Sequence, residues 1–219
     1  MKRFIAIVCV LCLVAALAGC QKEAPATPSD VTYFDGVSTV ELNAATITKQ
    51  VSEGKLDLEY ESAPNVTNTH THGEIIAITT TLGMESTELT ELLLPSGYDP
   101  ELHCKTGENY IRYEFGNSTT AYFYYTNDNS QNGLASVVYF GTAYGFEPTV
   151  TTIDQVKTVM GTPAKEGPAN EKAMSMFLFF EPGYTYIDYV CGENHVSFFF
   201  HENGTLGATV VYQDGLWIY

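Results

Sequence analysis

An aromatic tetrapeptide occurs twice in this chain, as Tyr110-Ile111-Arg112-Tyr113 and, 76 residues later, as Tyr186-Ile187-Asp188-Tyr189. The match continues through Gly116 and Gly192, then Phe123-Tyr124-Tyr125 and Phe198-Phe199-Phe200 at an offset of 75. It closes on Ala135-Ser136-Val137-Val138-Tyr139 and Ala208-Thr209-Val210-Val211-Tyr212 at an offset of 73. Only short turns change length along this path. A competing alignment of Gly107-Glu108-Asn109 with Gly192-Glu193-Asn194 needs a twelve-residue length change and is set aside. A repeat of this kind restricts the fold, because each copy must be a supersecondary unit that completes its core against the other.

Helical spacing precedes each strand set. Leu89, Leu92 and Leu93 stand at i, i+3, i+4 within Ser86 to Leu94, and Val156, Val159 and Met160 repeat that spacing within Ile153 to Met160. Thr152 followed by Gln155 is a capping box, and Pro95-Ser96-Gly97 and Gly161-Thr162-Pro163 stop the two helices. Gly116-Asn117, Asn132-Gly133 and Asn203-Gly204 mark short turns between strands. The expected fold is α+β: two helix-plus-antiparallel-sheet repeats forming one continuous or side-by-side sheet, with the helices on one face. Unit one covers 74–141 and unit two 142–219, the second carrying an extra strand at Phe177-Leu178-Phe179-Phe180. Residues 31–73 form an extension: a strand near Ser38 to Leu42, a helix over Ala44 to Glu53, a strand near Leu56 to Tyr60, and a polar loop from Asn65 to Gly73.

The first residues give an address. Lys2 and Arg3 precede an apolar run from Phe4 to Leu17, which ends in Leu17-Ala18-Gly19-Cys20. That run is short for a bilayer span and right for a secretion signal. The segment resembles the signal and lipobox of bacterial lipoproteins. The resemblance implies that 1–19 is removed, that Cys20 is acylated and becomes the mature N-terminus, and that 20–30 is a tether. An ordinary signal peptide is the alternative. The partner so implied is the lipid bilayer, reached through Cys20, and the location is the extracytoplasmic side of a bacterial membrane. Two or more acyl chains anchor stably, at about 0.8 kcal/mol per buried methylene. Cys9 and Cys12 leave with the signal, so their spacing is no redox motif.

The helix LGMESTELTELL, or TIDQVKTVMGTP, followed by aromatic strands and a closing strand after Asn-Gly, resembles the small BamE-type lipoproteins and the related beta-lactamase inhibitory protein. The resemblance covers about residues 74–213. The Gly83-Met84 step occurs only in the first copy, with Glu147-Pro148-Thr149 in the second. The resemblance implies an envelope scaffold or a protein-binding module and supplies no catalytic residue.

Charge narrows the function. The chain has 26 acidic and 10 basic residues, a formal charge of −16, and loses Lys2 and Arg3 with the signal. Nucleic acid needs a basic face, so it is excluded as a partner. Sorting the strands by alternation puts Ile111, Tyr113, Phe115, Phe123, Tyr125, Ile187, Tyr189, Cys191, Phe198 and Phe200 under the helices. The opposite face carries Ser197 and seven larger or charged residues, Tyr110, Arg112, Tyr122, Tyr124, Tyr186, Asp188 and Phe199. These seven are the candidate surface for a protein or envelope-polymer partner, because Tyr offers large contact area with a polar tip. In the competing reading, residues 31–62 fold over that face and make a structural lipoprotein.

A hydrolase or metal-binding enzyme is the weaker alternative. The chain has no G-x-S-x-G, Walker, G-x-G-x-x-G or H-E-x-x-H motif. His70 and His72, with His103, His195 or His201, offer a zinc reading, and Glu88 with Glu91 or Asp57 with Glu59 a calcium or glycosidase reading. Isolated loop histidines and solvated carboxylates are the commoner outcome, so no catalytic residue, metal or cofactor is assigned. Cys104 and Cys191 remain after export, either as a disulfide or with Cys191 as a small core residue in the place of Phe115.

Overall fold

The computed structural model describes residues 31–34, 39–61, 75–93, 104–106, 110–115, 119–125, 133–169 and 183–215. The signal, Cys20 and the tether lie outside them, as do the Asn65 to Gly73 loop, Gly116-Asn117, the Phe177–Phe180 strand and residues 216–219.

Two short strands, β1 (Val31–Phe34) and β2 (Thr39–Leu42), form a hairpin ahead of helix α1 (Ala44–Ser52). Asn43 caps α1 by accepting the Thr46 N–H at 3.0 Å. Strands β3 (Lys55–Glu61) and β4 (Ile75–Thr81) pair antiparallel, followed by α2 (Ser86–Leu93). Next come β5 (Cys104–Thr106), β6 (Tyr110–Glu114), β7 (Thr120–Tyr125) and β8 (Leu134–Tyr139). Helix α3 (Ile153–Met160) precedes β9 (Lys165–Pro168), β10 (Thr185–Cys191), β11 (Asn194–Phe200) and β12 (Leu206–Gln213). The fold is α+β. Among the described residues its main sheet has eight antiparallel strands in the order β5-β6-β7-β8-β12-β11-β10-β9.

The closing strands β8 and β12 therefore meet at the centre, with Val138 opposite Val210 and Val137 opposite Val211. Outward from that seam the ladders correspond. Tyr110 faces Tyr124 on one side, and Tyr186 faces Phe199 on the other. Each half has a bulge at the same place, between Tyr124 and Tyr125 and between Phe199 and Phe200.

Past the bulges the register differs from the sequence match. Leu134 stands opposite Tyr125 as Leu206 stands opposite Phe200, so β8 and β12 correspond at an offset of 72, not 73. Side chains alternate along a strand, so a one-residue slip exchanges faces. Tyr139 thus packs in the helix-face core, whereas Tyr212 packs on the opposite face.

The helix face carries the main core. Ile47 and Val51 of α1, Leu89 and Leu93 of α2, and Val156 of α3 are buried against Tyr113, Phe123, Ile187, Tyr189, Phe198 and Phe200. The capping box at Thr152 and Gln155 is formed, with the Gln155 side chain accepting the Thr152 N–H at 2.8 Å. The β3–β4 hairpin joins the same side through Leu56, Leu58, Tyr60 and Ile76. Residues 44–60 consequently do not fold over the aromatic face. Their apolar spacing matches the side the helices already occupy, and Asn194 ties α1 there by donating to the Val51 carbonyl at 3.0 Å.

Candidate functional site

The opposite face of the main sheet gathers the seven residues singled out by alternation. Two clusters of side chains occupy it, one in each half.

In the first half, Tyr110, Tyr122 and Tyr124 form a triangle with ring centroids 5.7–6.4 Å apart. Tyr122 also meets Phe140 edge-on at 6.0 Å. The Arg112 guanidinium sits 5.8 Å over the Tyr122 ring and forms an ion pair with Glu114. Tyr122 is buried, whereas Tyr110, Arg112 and Tyr124 are half-buried. Burial pushes the Tyr124 hydroxyl well above its ordinary titration range, so it stays protonated and can donate a hydrogen bond. Burial raises Tyr122 as well, opposed by the Arg112 charge.

In the second half, Tyr186 and Phe199 are 5.9 Å apart. Next to them Asp188 is fully buried and has three side-chain partners. The Ser197 hydroxyl donates at 2.7 Å, the Tyr212 hydroxyl at 2.9 Å, and His195 Nδ1 lies 3.0 Å from its second oxygen. The His195 ring stacks on Tyr212 at 4.8 Å. At the far end of the same stripe His201 meets Tyr184 at 4.7 Å.

Three of the seven residues therefore cannot touch a partner. Asp188 and Phe199 are 0% exposed and Tyr122 is 2%. Asp188 is buried because the register supplies donors from β11 and β12, which offset the desolvation of its charge. Tyr122 and Phe199 form a floor. Tyr110, Arg112, Tyr124 and Tyr186 stand half-exposed above it.

Of the groups around Asp188, the sequence offered His195 only as a zinc candidate and Ser197 only as a position on this face, and it did not single out Tyr212. Their signal is weak: polar residues at i and i+2 in an aromatic strand, opposite an Asp of another strand. Only the registers Asp188 to Ser197 and His195 to Tyr212 turn them into one network.

The enzyme and metal readings gain nothing in geometry. No group of three or more His, Cys, Asp or Glu side chains could hold a metal among the described residues. His195 and His201 stand at opposite ends of β11, roughly 20 Å apart along an extended strand, while His70, His72 and His103 lie outside the described residues. Glu88 accepts the Glu85 N–H at 2.9 Å at the start of α2. Asp57 is engaged by Gln50 at 2.8 Å and Thr79 at 2.6 Å. Its neighbour Glu59 is pushed up to about 7 by burial and by the Asp57 charge. Cys191 is a free, buried thiol, so the bridge to Cys104 is not formed. Strand β5, which holds Cys104, lies six strand positions from β10. Burial raises the Cys191 thiol to about 11, which keeps it unreactive.

No family model and no curated protein matches the chain. A solved structure of a DUF4309 family protein (YjgB) from Bacillus subtilis subsp. subtilis str. 168 is similar at a TM-score of 0.47 and 11% identity. The match covers 78% of this chain and 95% of that one. Among the described residues no helix is long and apolar enough to cross a membrane.

Proposed function

We propose that the chain is a lipid-anchored extracytoplasmic protein that binds a protein or envelope polymer through the aromatic face of its main sheet. The anchor in this reading is Cys20, placed by the Lys2-Arg3 start, the apolar run and Leu17-Ala18-Gly19 before it. The domain in this reading is two copies of a helix-plus-sheet unit, supported by ladders and bulges that correspond at offsets of 76 and 75.

One observation carries the binding role: Tyr110, Arg112, Tyr124 and Tyr186 are half-exposed on one face, above a floor of buried aromatics. Aromatic and Arg side chains set on a rigid, desolvated floor are the composition of an interface hot spot. The second reading, a structural envelope-assembly lipoprotein, is favoured by the complete burial of Phe199.

The test is capture from envelope extract by residues 31–219, compared with a Tyr124→Ala/Tyr186→Ala variant. Loss of a specific partner with an unchanged circular dichroism spectrum supports the binding role. Equal capture by both proteins selects the structural role. Mass spectrometry of the mature protein tests the anchor: an unmodified Cys20 thiol or a retained Met1 removes it.

A further inference from the structure

His195 stands between two carboxylates. Its Nδ1 lies 3.0 Å from Asp188 Oδ2, and its Nε2 lies 3.4 Å from Asp214 Oδ1. A neutral imidazole has one N–H and one lone pair, so it can serve only one of these carboxylates as a donor. In either tautomer the other carboxylate faces a lone pair. Only the imidazolium donates at both ends. We propose that His195 is a proton-operated clasp: in its doubly protonated form it ties the turn after β12, through Asp214, to the buried Asp188 of β10.

The surroundings fit a clasp with one fixed and one releasable arm. Asp188 is 0% exposed, and its other oxygen is already held by the Ser197 and Tyr212 hydroxyls. The Asp214 side chain is 78% exposed, so water receives it when the arm opens. From β9, Lys165 stands opposite Asp188 in the ladder, and Tyr186 neighbours it on its own strand. Tyr212 of β12 stacks on the ring. From the β10–β11 turn, Glu193 accepts the Asp214 backbone N–H at 2.9 Å through its carbonyl. That backbone bond keeps the turn in place while the side-chain arm opens. The clasp closes when the ring takes up a second proton and opens when it gives that proton up.

The test follows the His195 ring nitrogens by nuclear magnetic resonance in the full-length domain, wild type against Asp214→Asn. Asp214 is exposed, so the variant keeps the fold. Removing the releasable arm is expected to speed exchange of the His195 Nε2–H with water in acidic solution. Equal Nε2–H exchange in the two proteins overturns the clasp. So does broadening of the His195 signals by one equivalent of Zn²⁺ at neutral pH in the wild type alone, which makes the gap a metal site instead.

Discussion

The hydroxyl of Tyr144 donates to the carbonyl of Lys55 at 2.8 Å, tying the β8–α3 connection to the first residue of β3. Two further bonds run beside it. The Glu59 N–H donates to the Thr142 carbonyl at 3.3 Å, and the Tyr139 hydroxyl donates to the Glu59 carbonyl. The link between the two halves of the sheet is thus also the dock for the β3–β4 hairpin. Tyr144 holds a left-handed backbone, with φ of 53°, which a bulky residue keeps only when its surroundings dictate it.

Tyr144→Phe is expected to leave the ring buried and remove the donor. A buried carbonyl then loses a partner, at a cost of about 1–2 kcal/mol. Burial holds the Tyr144 hydroxyl protonated far above neutral pH, so the loss is the same from acid to neutral solution. Urea unfolding at two pH values measures it. A change confined to the slope, with the midpoint unmoved, counts against the docking role.

Glu59 gives the hairpin a pH dependence. Its carboxyl titrates near 7 in the folded state against an ordinary value of 4.5, chiefly through burial and then through Asp57. The folded state therefore binds more protons than the unfolded state between those values. The stabilising contribution is complete below about pH 4.5 and is lost as pH rises to about 7. Glu59→Gln is expected to flatten that part of the stability profile. A wild-type profile that instead rises with pH through this window, and is unaltered by the substitution, contradicts the assignment.

Gly133 is where the Gly83-Met84 step meets the main sheet. The Gly83 N–H donates to the Leu134 carbonyl at 2.7 Å, and the Leu134 N–H donates to the Met84 carbonyl at 2.8 Å. Gly133 has φ of 75°, and a Cβ added there would stand 2.5–2.8 Å from the Gly83 backbone. Gly204 has a similar φ of 80° with open space around it. Gly133→Ala is expected to destabilise by about 2 kcal/mol or more, and Gly204→Ala by about 1 kcal/mol. Thermal midpoints of the two variants separate close approach from backbone strain alone.

The parts of the fold legible in the sequence are those set by local periodicity. The i, i+3, i+4 spacing of Leu89, Leu92 and Leu93 and the Thr152–Gln155 box place α2 and α3. Alternation in Tyr110–Phe115 and Phe198–Phe200 sorts the two sheet faces. What was not legible depends on register. A bulge leaves no mark in composition, so the Tyr139–Tyr212 match looked sound although the two rings lie on opposite faces. Asp188 read as a surface charge because nothing local announces that Ser197, His195 and Tyr212 will surround it. The side taken by residues 44–60 was equally hidden, because both sheet faces are apolar.

Asp188 is the strongest place to ask whether the second half of the face is a designed network or only a filled one. Removing one member of a buried, hydrogen-bonded charge cluster leaves the others uncompensated, and such losses run to about 3 kcal/mol or more. Asp188→Asn keeps the shape but replaces one acceptor oxygen by a donor, so a hydroxyl or the His195 ring loses its acceptor. The single substitution is expected to lower stability by about 3 kcal/mol. His195→Gln removes the ring and leaves Asp188 with the two hydroxyls. If the residues act as a unit, the double variant Asp188→Asn/His195→Gln costs clearly less than the two losses added, with a coupling of about 1 kcal/mol or more. Chemical denaturation of the four proteins closes the cycle. Additive losses mean that Asp188 and His195 are stabilised separately, and that their contact does not hold β10 to β11.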